Sequence, residues 1–452
     1  MNRMVSAFSG TGLMARVLRS ASWLIIGYGG SQALRLAANL VLTRILFPEA
    51  FGLMALVSVV TVGLNLFSDV GLGPSIAQNK RGDDPDFLDT AWTIQVMRGV
   101  LLFGLAWAVA GPVATFYGEP ELKQYLPIAA VALLVSGVNP TRIETAHRHL
   151  LVGRLTLLDL ASQVIGIGFM VWFATATGSV LSLVFGGVVQ AVAKLLLTHY
   201  CLPGPRNQFR WEKAAAYEIA HFGKWIFLST GLAFLISQGD RAILGRFLTL
   251  EVLGLYNIGF FLGSFPSMLG HAVTQKIMIP IYRDRPAHED QASRRKQRLL
   301  RAAMTCGIVG LLLVMAAVGP WLIDVLYDDR YHLSGPIVTL IACALVPQAI
   351  IMTYDSAALA AGDSRSFFLL SLVKATSQTL CIILGVQSFG LIGAMAGLGL
   401  SMIFTYPALV WLSVKHRVWD PIHDMMAAVI SSATVSLLLW YHWEQISALS
   451  QM

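Results

Sequence analysis

The chain has 452 residues, of which 56% are hydrophobic and only 13% charged, where a soluble domain carries roughly 25% charged residues. That balance excludes an ordinary soluble enzyme and leaves little room for a separate soluble domain, and nothing points to nucleic acid as the partner of the +7 net charge. The four cysteines form no CxxC pair and lie in or beside apolar stretches, so neither a disulfide framework nor a metal site is expected, and no cofactor is implied.

Thirteen apolar segments follow one another at 21–44, 51–76, 91–112, 125–146, 156–175, 178–200, 222–246, 252–280, 302–326, 334–360, 366–385, 390–413 and 423–441. Each approaches the roughly 20 residues that a spanning helix needs. The N-terminal stretch MNRMVSAFSGTGLMARVLRS has no small-residue cleavage site before a short apolar core, so the first segment is expected to serve as the insertion signal. With the N-terminus in the cytoplasm, 22 of the 32 Lys and Arg fall on the inner tail and loops, and only Arg44, Lys123, Arg246 and Arg330 fall outside. This asymmetry sets the expected orientation and supports the segment count. The last segment, 423–441, is read as an appended thirteenth span rather than an interfacial helix.

The basic loop 281–301 is expected to fix topology and attract anionic headgroups, with partner docking as the competing reading. Loop 201–221 carries Pro203, Gly204 and Pro205 and is expected to divide two halves, with a short amphipathic surface helix in it. The expected organisation is a six-helix bundle over 1–200, a cytoplasmic linker over 201–221, a second six-helix bundle over 222–414, and an appended helix and tail over 415–452.

The chain also repeats itself at an offset of 202 residues: RILFPEAFGL from Arg44 matches RFLTLEVLGL from Arg246, and Trp23 matches Trp225. Both copies follow an odd-numbered span, so the halves share one orientation, as in transporters built from parallel repeats. The Arg, Glu and Gly of the motif read first as a structural turn, with Glu49 and Glu251 capping the next helix and Gly52 and Gly254 allowing tight geometry.

Six cations lie inside the apolar segments: Arg35, Arg98, Lys194, Arg241, Lys276 and Lys374. A charge facing hydrocarbon costs about 2.5 kcal/mol or more, so a polar interior handling something anionic is expected. Arg35 shares a helix face with Gln32 and Asn39, Arg98 has Gln95 at i−3, Lys194 has Gln190 at i−4, and Lys374 has Gln378 at i+4. Snorkelling competes with cavity lining for Arg98, Lys194 and Lys276, and an ion pair competes for Arg35 and Arg241. Asp69, Asp159, Asp240 and Asp355 are the principal acids of these segments; they either neutralise the cations or bind a coupling proton or sodium ion, with Asp240 and Asp355 the better candidates for coupling.

Leu42–Leu53 with Asp69-Val70-Gly71-Leu72-Gly73, the Thr90-Ala91-Trp92 opening of the third segment, and Asp240–Leu248 leading into Leu253-Gly254-Leu255-Tyr256-Asn257 resemble the polysaccharide transporter family over about residues 15–415. These are Wzx-type flippases of lipid-linked oligosaccharides, in the MATE-like MOP superfamily. The resemblance implies an all-α polytopic fold of two six-helix bundles around a central cationic cavity with alternating access. The implied cargo is an undecaprenyl-diphosphate-linked repeat unit for exopolysaccharide, capsule or O-antigen. It also implies a bacterial inner-membrane location, and membrane lipids, a polymerase and other assembly proteins as partners. On this reading Arg35 and Arg241 hold the diphosphate and Arg98, Lys194 and Lys374 assist. A lipid II-type flippase or a MATE-like antiporter is the alternative. A membrane glycan polymerase or glycosyltransferase is the enzymatic rival, disfavoured by short outer loops without catalytic acids.

Overall fold

A long apolar run inside a bilayer satisfies its backbone only as a helix or a closed barrel. A computed structural model describes residues 13–284 and 291–451, and among these every regular element is helical. In chain order they are α1 (Leu13–Leu42), α2 (Pro48–Phe67), α3 (Leu72–Gln78), α4 (Pro85–Tyr117), α5 (Leu122–Gly137), α6 (Arg142–Arg148), α7 (Val152–Thr177), α8 (Leu181–Cys201), α9 (Lys213–Phe247), α10 (Leu250–Gly263), α11 (Phe265–Asp284), α12 (Gln291–Leu326), α13 (Ser334–Ala344), α14 (Val346–Ile351), α15 (Asp355–Ala360), α16 (Ser364–Lys415), α17 (Pro421–Tyr441) and α18 (Trp443–Ala448). Among the described residues eight helices are long and apolar enough to cross a membrane, ten when the bent pairs α5–α6 and α10–α11 each count as one span. The chain is a multi-pass membrane protein. Helix α17, the expected thirteenth span, is one of the eight, and most of its surface is unburied.

The chain divides into two compact units, Met1–Leu46 with Leu56–Gly231, and Phe47–Ala55 with Leu232–Met452. In the first unit α7 packs on α8, α4 on α5, and α1 on α7. Helix α4 starts where the Asp84 carboxylate accepts from the Asp86 N–H with Pro85 in the first turn. Two loop arginines, expected as topology signals, also close helix ends. Arg142 donates to the carbonyls of His199, Leu202 and Pro205 at the end of α8. Arg148 donates to those of Ile76, Ala77 and Asn79 at the end of α3. The expected surface helix in 201–221 does not form separately, because α9 runs unbroken from Lys213. Its first turns are tied to the 79–84 loop by Arg81, which bonds Asp84 and Glu212 at 2.7 Å each. That contact holds the Asp84 carboxyl below the usual carboxylate range.

In the second unit the two repeat motifs meet. Gly52 of α2 and Gly254 of α10 are helical, not turn, residues. A Cβ on Gly52 would strike the Leu250 carbonyl, and a Cβ on Gly254 would strike the Pro48 carbonyl. Pro48 and Leu250 are themselves repeat equivalents, so the crossing is pseudo-symmetric. Glycine is needed there for backbone-to-backbone approach, as small residues are at other membrane helix crossings. Helix α16 holds two expected segments, 366–385 and 390–413, joined at Phe389 and Gly390. Gly390 has φ 57 and ψ −141, a conformation open essentially to glycine alone, and it turns the chain back on itself. The Ser377 and Thr405 hydroxyls then meet across the two arms at 2.9 Å.

Candidate functional site

Each compact unit holds its own set of membrane-depth polar side chains. In the first, Arg98 of α4 reaches α2. Its Nε donates to Ser68 Oγ at 2.9 Å, and one terminal nitrogen donates to the carbonyl and the side-chain oxygen of Asn65. Among the described residues no carboxylate lies within ion-pair distance of Arg98, although Asp69 acts on it electrostatically. Asp69 instead accepts from the Gly71 N–H at 2.9 Å and closes the turn after α2. Gln95, the expected companion of Arg98, is used elsewhere: its amide donates to the Ser136, Gly137 and Asn139 carbonyls that end α5.

Lys194 of α8 pairs with Asp159 of α7 at 2.8 Å, with 36% and 51% of the side chains exposed. Water therefore weakens this pair. Glu144 lies in the electrostatic field of Lys194, His147 and Asp69 and packs so closely on Gly73 that a Cβ there would sit 2.8 Å from its Oε2. Arg35 is exposed on α1 and forms no hydrogen bond or ion pair with the described residues. Its expected neighbour Gln32 is buried, so the polar stripe of α1 is split between packing and exposure.

In the second unit Arg241 and Asp240 of α9 are 3.8 Å apart, with only 15% and 5% of their side chains exposed. Helix α10 completes the cluster. Tyr256 donates to Asp240 Oδ2 at 2.7 Å, Asn257 Oδ1 accepts from Arg241 Nε at 3.0 Å, and the Phe260 ring lies 4.6 Å under the guanidinium. Asp240 Oδ1 has no hydrogen-bond partner among the described residues. Lys374 of α16 lies 4.0 Å from Asp355, and His271 of α11 lies in the field of both. Gln378 does not extend this pair; it donates to the Ile236 carbonyl of α9 at 3.1 Å. Lys276 is exposed on α11.

Three expected cations thus meet three expected acids, while Arg98 is held by neutral oxygens and Arg35 is open. Sequence reasoning passed over Asn65, Ser68, Glu144 and His271, and met Tyr256 and Asn257 only as family wording. The available signal was the same one used for the cations: a polar residue inside an apolar segment, with Asn65 and Ser68 also at i, i+3.

The profile of the family described as "Polysaccharide biosynthesis protein" matches residues 41–336. Among curated proteins, the chain is 21% identical to the teichuronic acid biosynthesis protein TuaB of Bacillus subtilis over 68% of this chain and 64% of that protein. It is 21% identical to the succinoglycan biosynthesis transport protein ExoT of Rhizobium meliloti over 94% of this chain and 86% of that one. It is 19% identical to the lipopolysaccharide biosynthesis protein WzxC of Escherichia coli, over 94% and 89%. Among solved structures, the lipid II flippase MurJ superposes with a TM-score of 0.70 at 9% identity, covering 93% of this chain and 99% of that one. An inward-facing MATE-family transporter of the MOP superfamily superposes at 0.64 with 14% identity, covering 85% and 94%. The fold is therefore the two-bundle fold of the MOP superfamily.

Proposed function

The chain belongs to the family of polysaccharide biosynthesis proteins, and on that footing we propose that it is a flippase for a lipid-linked oligosaccharide. Its cargo is a repeat unit on undecaprenyl diphosphate, moved from the cytoplasmic to the outer face of the bacterial plasma membrane for surface polysaccharide assembly. On this reading the N-terminus lies in the cytoplasm, which the basic-residue asymmetry supports. What carries this reading is the nearly end-to-end match to a named polysaccharide transport protein. The protein performs translocation and no bond chemistry, and it hands the unit to a polymerase.

The physical task is to move a polar, doubly charged head through hydrocarbon while the polyprenyl tail stays in lipid. Charge-assisted hydrogen bonds from guanidinium replace the lost hydration of the diphosphate. A cation already neutralised by a carboxylate serves this poorly. We therefore assign the diphosphate first to Arg98 and Arg35, whose charge no carboxylate pairs within the described residues, and give Arg241, Lys194 and Lys374 supporting roles. Arg98 is preset by Asn65 and Ser68, so little rotamer freedom is lost when it engages phosphate. Asp240 and Asp355, each beside a cation, remain the residues through which a proton or sodium gradient would drive the cycle.

The test is deletion of the gene, followed by assay of surface polysaccharide and of lipid-linked repeat units on each membrane face. Complete units stranded on the cytoplasmic face are expected. Complete units already facing outward but unpolymerised would refute the reading in favour of a polymerase.

A further inference from the structure

At one end of the second unit, where α12 enters its apolar stretch and α16 gives way to α17, a cavity of about 300 Å³ opens. Its walls include Arg298, Arg301, Arg417, Trp419 and Asp420. Three guanidiniums face one carboxylate. That carboxylate, Asp420, is buried and bonded to Arg298 at 2.9 Å. The next acid, Asp424, is occupied by the Tyr354 and Tyr406 hydroxyls at 2.8 and 2.9 Å. His423 Nδ1 also lies 3.0 Å from Asp424.

Arg301 is only 2% exposed. It lies over the Tyr354 ring at 4.2 Å and donates to the Tyr282 hydroxyl at 2.9 Å. Among the described residues no carboxylate is within ion-pair distance of it, and its Nε has no partner. Asp424 acts on it only at a distance, beyond the Tyr354 hydroxyl, so the direct contacts of this buried guanidinium are neutral hydroxyls and a ring face, which leaves its charge open to an anion in the cavity. Arg417 brings a further guanidinium to the wall from the end of α16. It follows the end of α16 with φ 56, the left-handed position where helices usually place glycine.

We propose that this cavity binds a phosphate ester at the membrane surface, a site apart from the membrane-depth cations. The surplus of two positive charges suits a phosphate group, and arginine forks match its oxygens. The volume is about ten times the ~30 Å³ share of one water, so there is room for the group that the phosphate is esterified to. Trp419 with Val414 and Val418 supplies an amphipathic wall of the kind found at headgroup level. The ligand is either an anionic phospholipid headgroup or a soluble phosphate.

The experiment uses the full-length protein in neutral detergent. Its thermal unfolding midpoint is followed against inorganic phosphate, against sodium chloride at matched ionic strength, and against short-chain phosphatidic acid and phosphatidylcholine. Saturable stabilisation by phosphate over chloride is expected, weakened at least about tenfold in Arg417→Gln and in Arg298→Gln, both exposed and away from the core. Stronger binding of phosphatidic acid than of phosphate identifies a lipid headgroup; equal binding identifies soluble phosphate. Phosphate and phosphatidic acid no better than chloride and phosphatidylcholine, or binding unchanged in both variants, would overturn the proposal.

Discussion

The cations of the two units are held differently. In the second, Arg241 and Lys374 each sit beside a carboxylate, and the Arg241–Asp240 pair is almost wholly buried. In the first, Lys194 has a carboxylate in a half-exposed pair, while Arg98 is anchored only by an amide, a hydroxyl and a carbonyl. A carboxylate both steadies a buried cation and cancels its field. Neutral oxygens steady it and leave the field in place. The comparison teaches that a count of intramembrane cations is not a count of anion sites, because the partner decides whether the charge remains available.

The largest effect expected from this contrast is on stability. Asp240→Ala should cost about 3–5 kcal/mol, since it strands Arg241 and the Tyr256 hydroxyl in a dry cluster. Thermal unfolding in detergent would register a large drop, and a midpoint equal to the parent would show that the pair is not structural. The next is on export. Arg98→Gln should lower surface polysaccharide at least about tenfold while protein abundance holds, because one to two charge-assisted bonds to phosphate are lost. Arg241→Gln should show the reverse balance, with a marked drop in abundance and a smaller loss of export per molecule than Arg98→Gln. Equal specific activity of the two variants would erase the distinction between the units.

Smaller still is the Lys194–Asp159 pair. A double-mutant cycle on unfolding should return a coupling of about 0.2–1 kcal/mol, the range for solvent-screened pairs. A larger coupling would move this pair into the class of Arg241 and Asp240.

The smallest effect lies in the loops, where Asp363 accepts from Lys415 and caps α16 through the Ser366 N–H. Hydrogen bonds from Lys415 and Ser366 hold its carboxyl well below the usual range. Its folded pKa is depressed, so its contribution is present above the ordinary value of about 3.9 and is lost as pH falls below it. Asp363→Asn should lower stability slightly at neutral pH and leave the strongly acid end nearly unchanged, which flattens the acid side of the profile; an unaltered acid limb would count against the linkage.

Much of the fold was legible in the sequence because bilayer thickness and backbone hydrogen bonding leave one solution for long apolar runs. The thirteen segments, the repeat at 202 residues and the family resemblance follow from such local patterns. The candidate site was legible only as a set of residue types. Asn65 and Ser68 lie 33 and 30 positions before Arg98, and no periodicity links them; the reach of the Arg98 side chain from α4 to the end of α2 does. Arg241 with Asn257, and Lys374 with Asp355, depend in the same way on which helices become neighbours. The motif glycines show the boundary most clearly. Their repetition was visible in the chain, but their role was misread as a turn, because only tertiary structure reveals that the two copies pack against each other. Sequence by itself determined the helical class and the membrane setting, since those rest on local free energies of burial and backbone pairing, whereas thirteen expected segments became eight spanning helices among the described residues, ten with the bent pairs. Tertiary structure alone decided which charges were cancelled and which stayed open, since electrostatics depends on distance in space rather than along the chain.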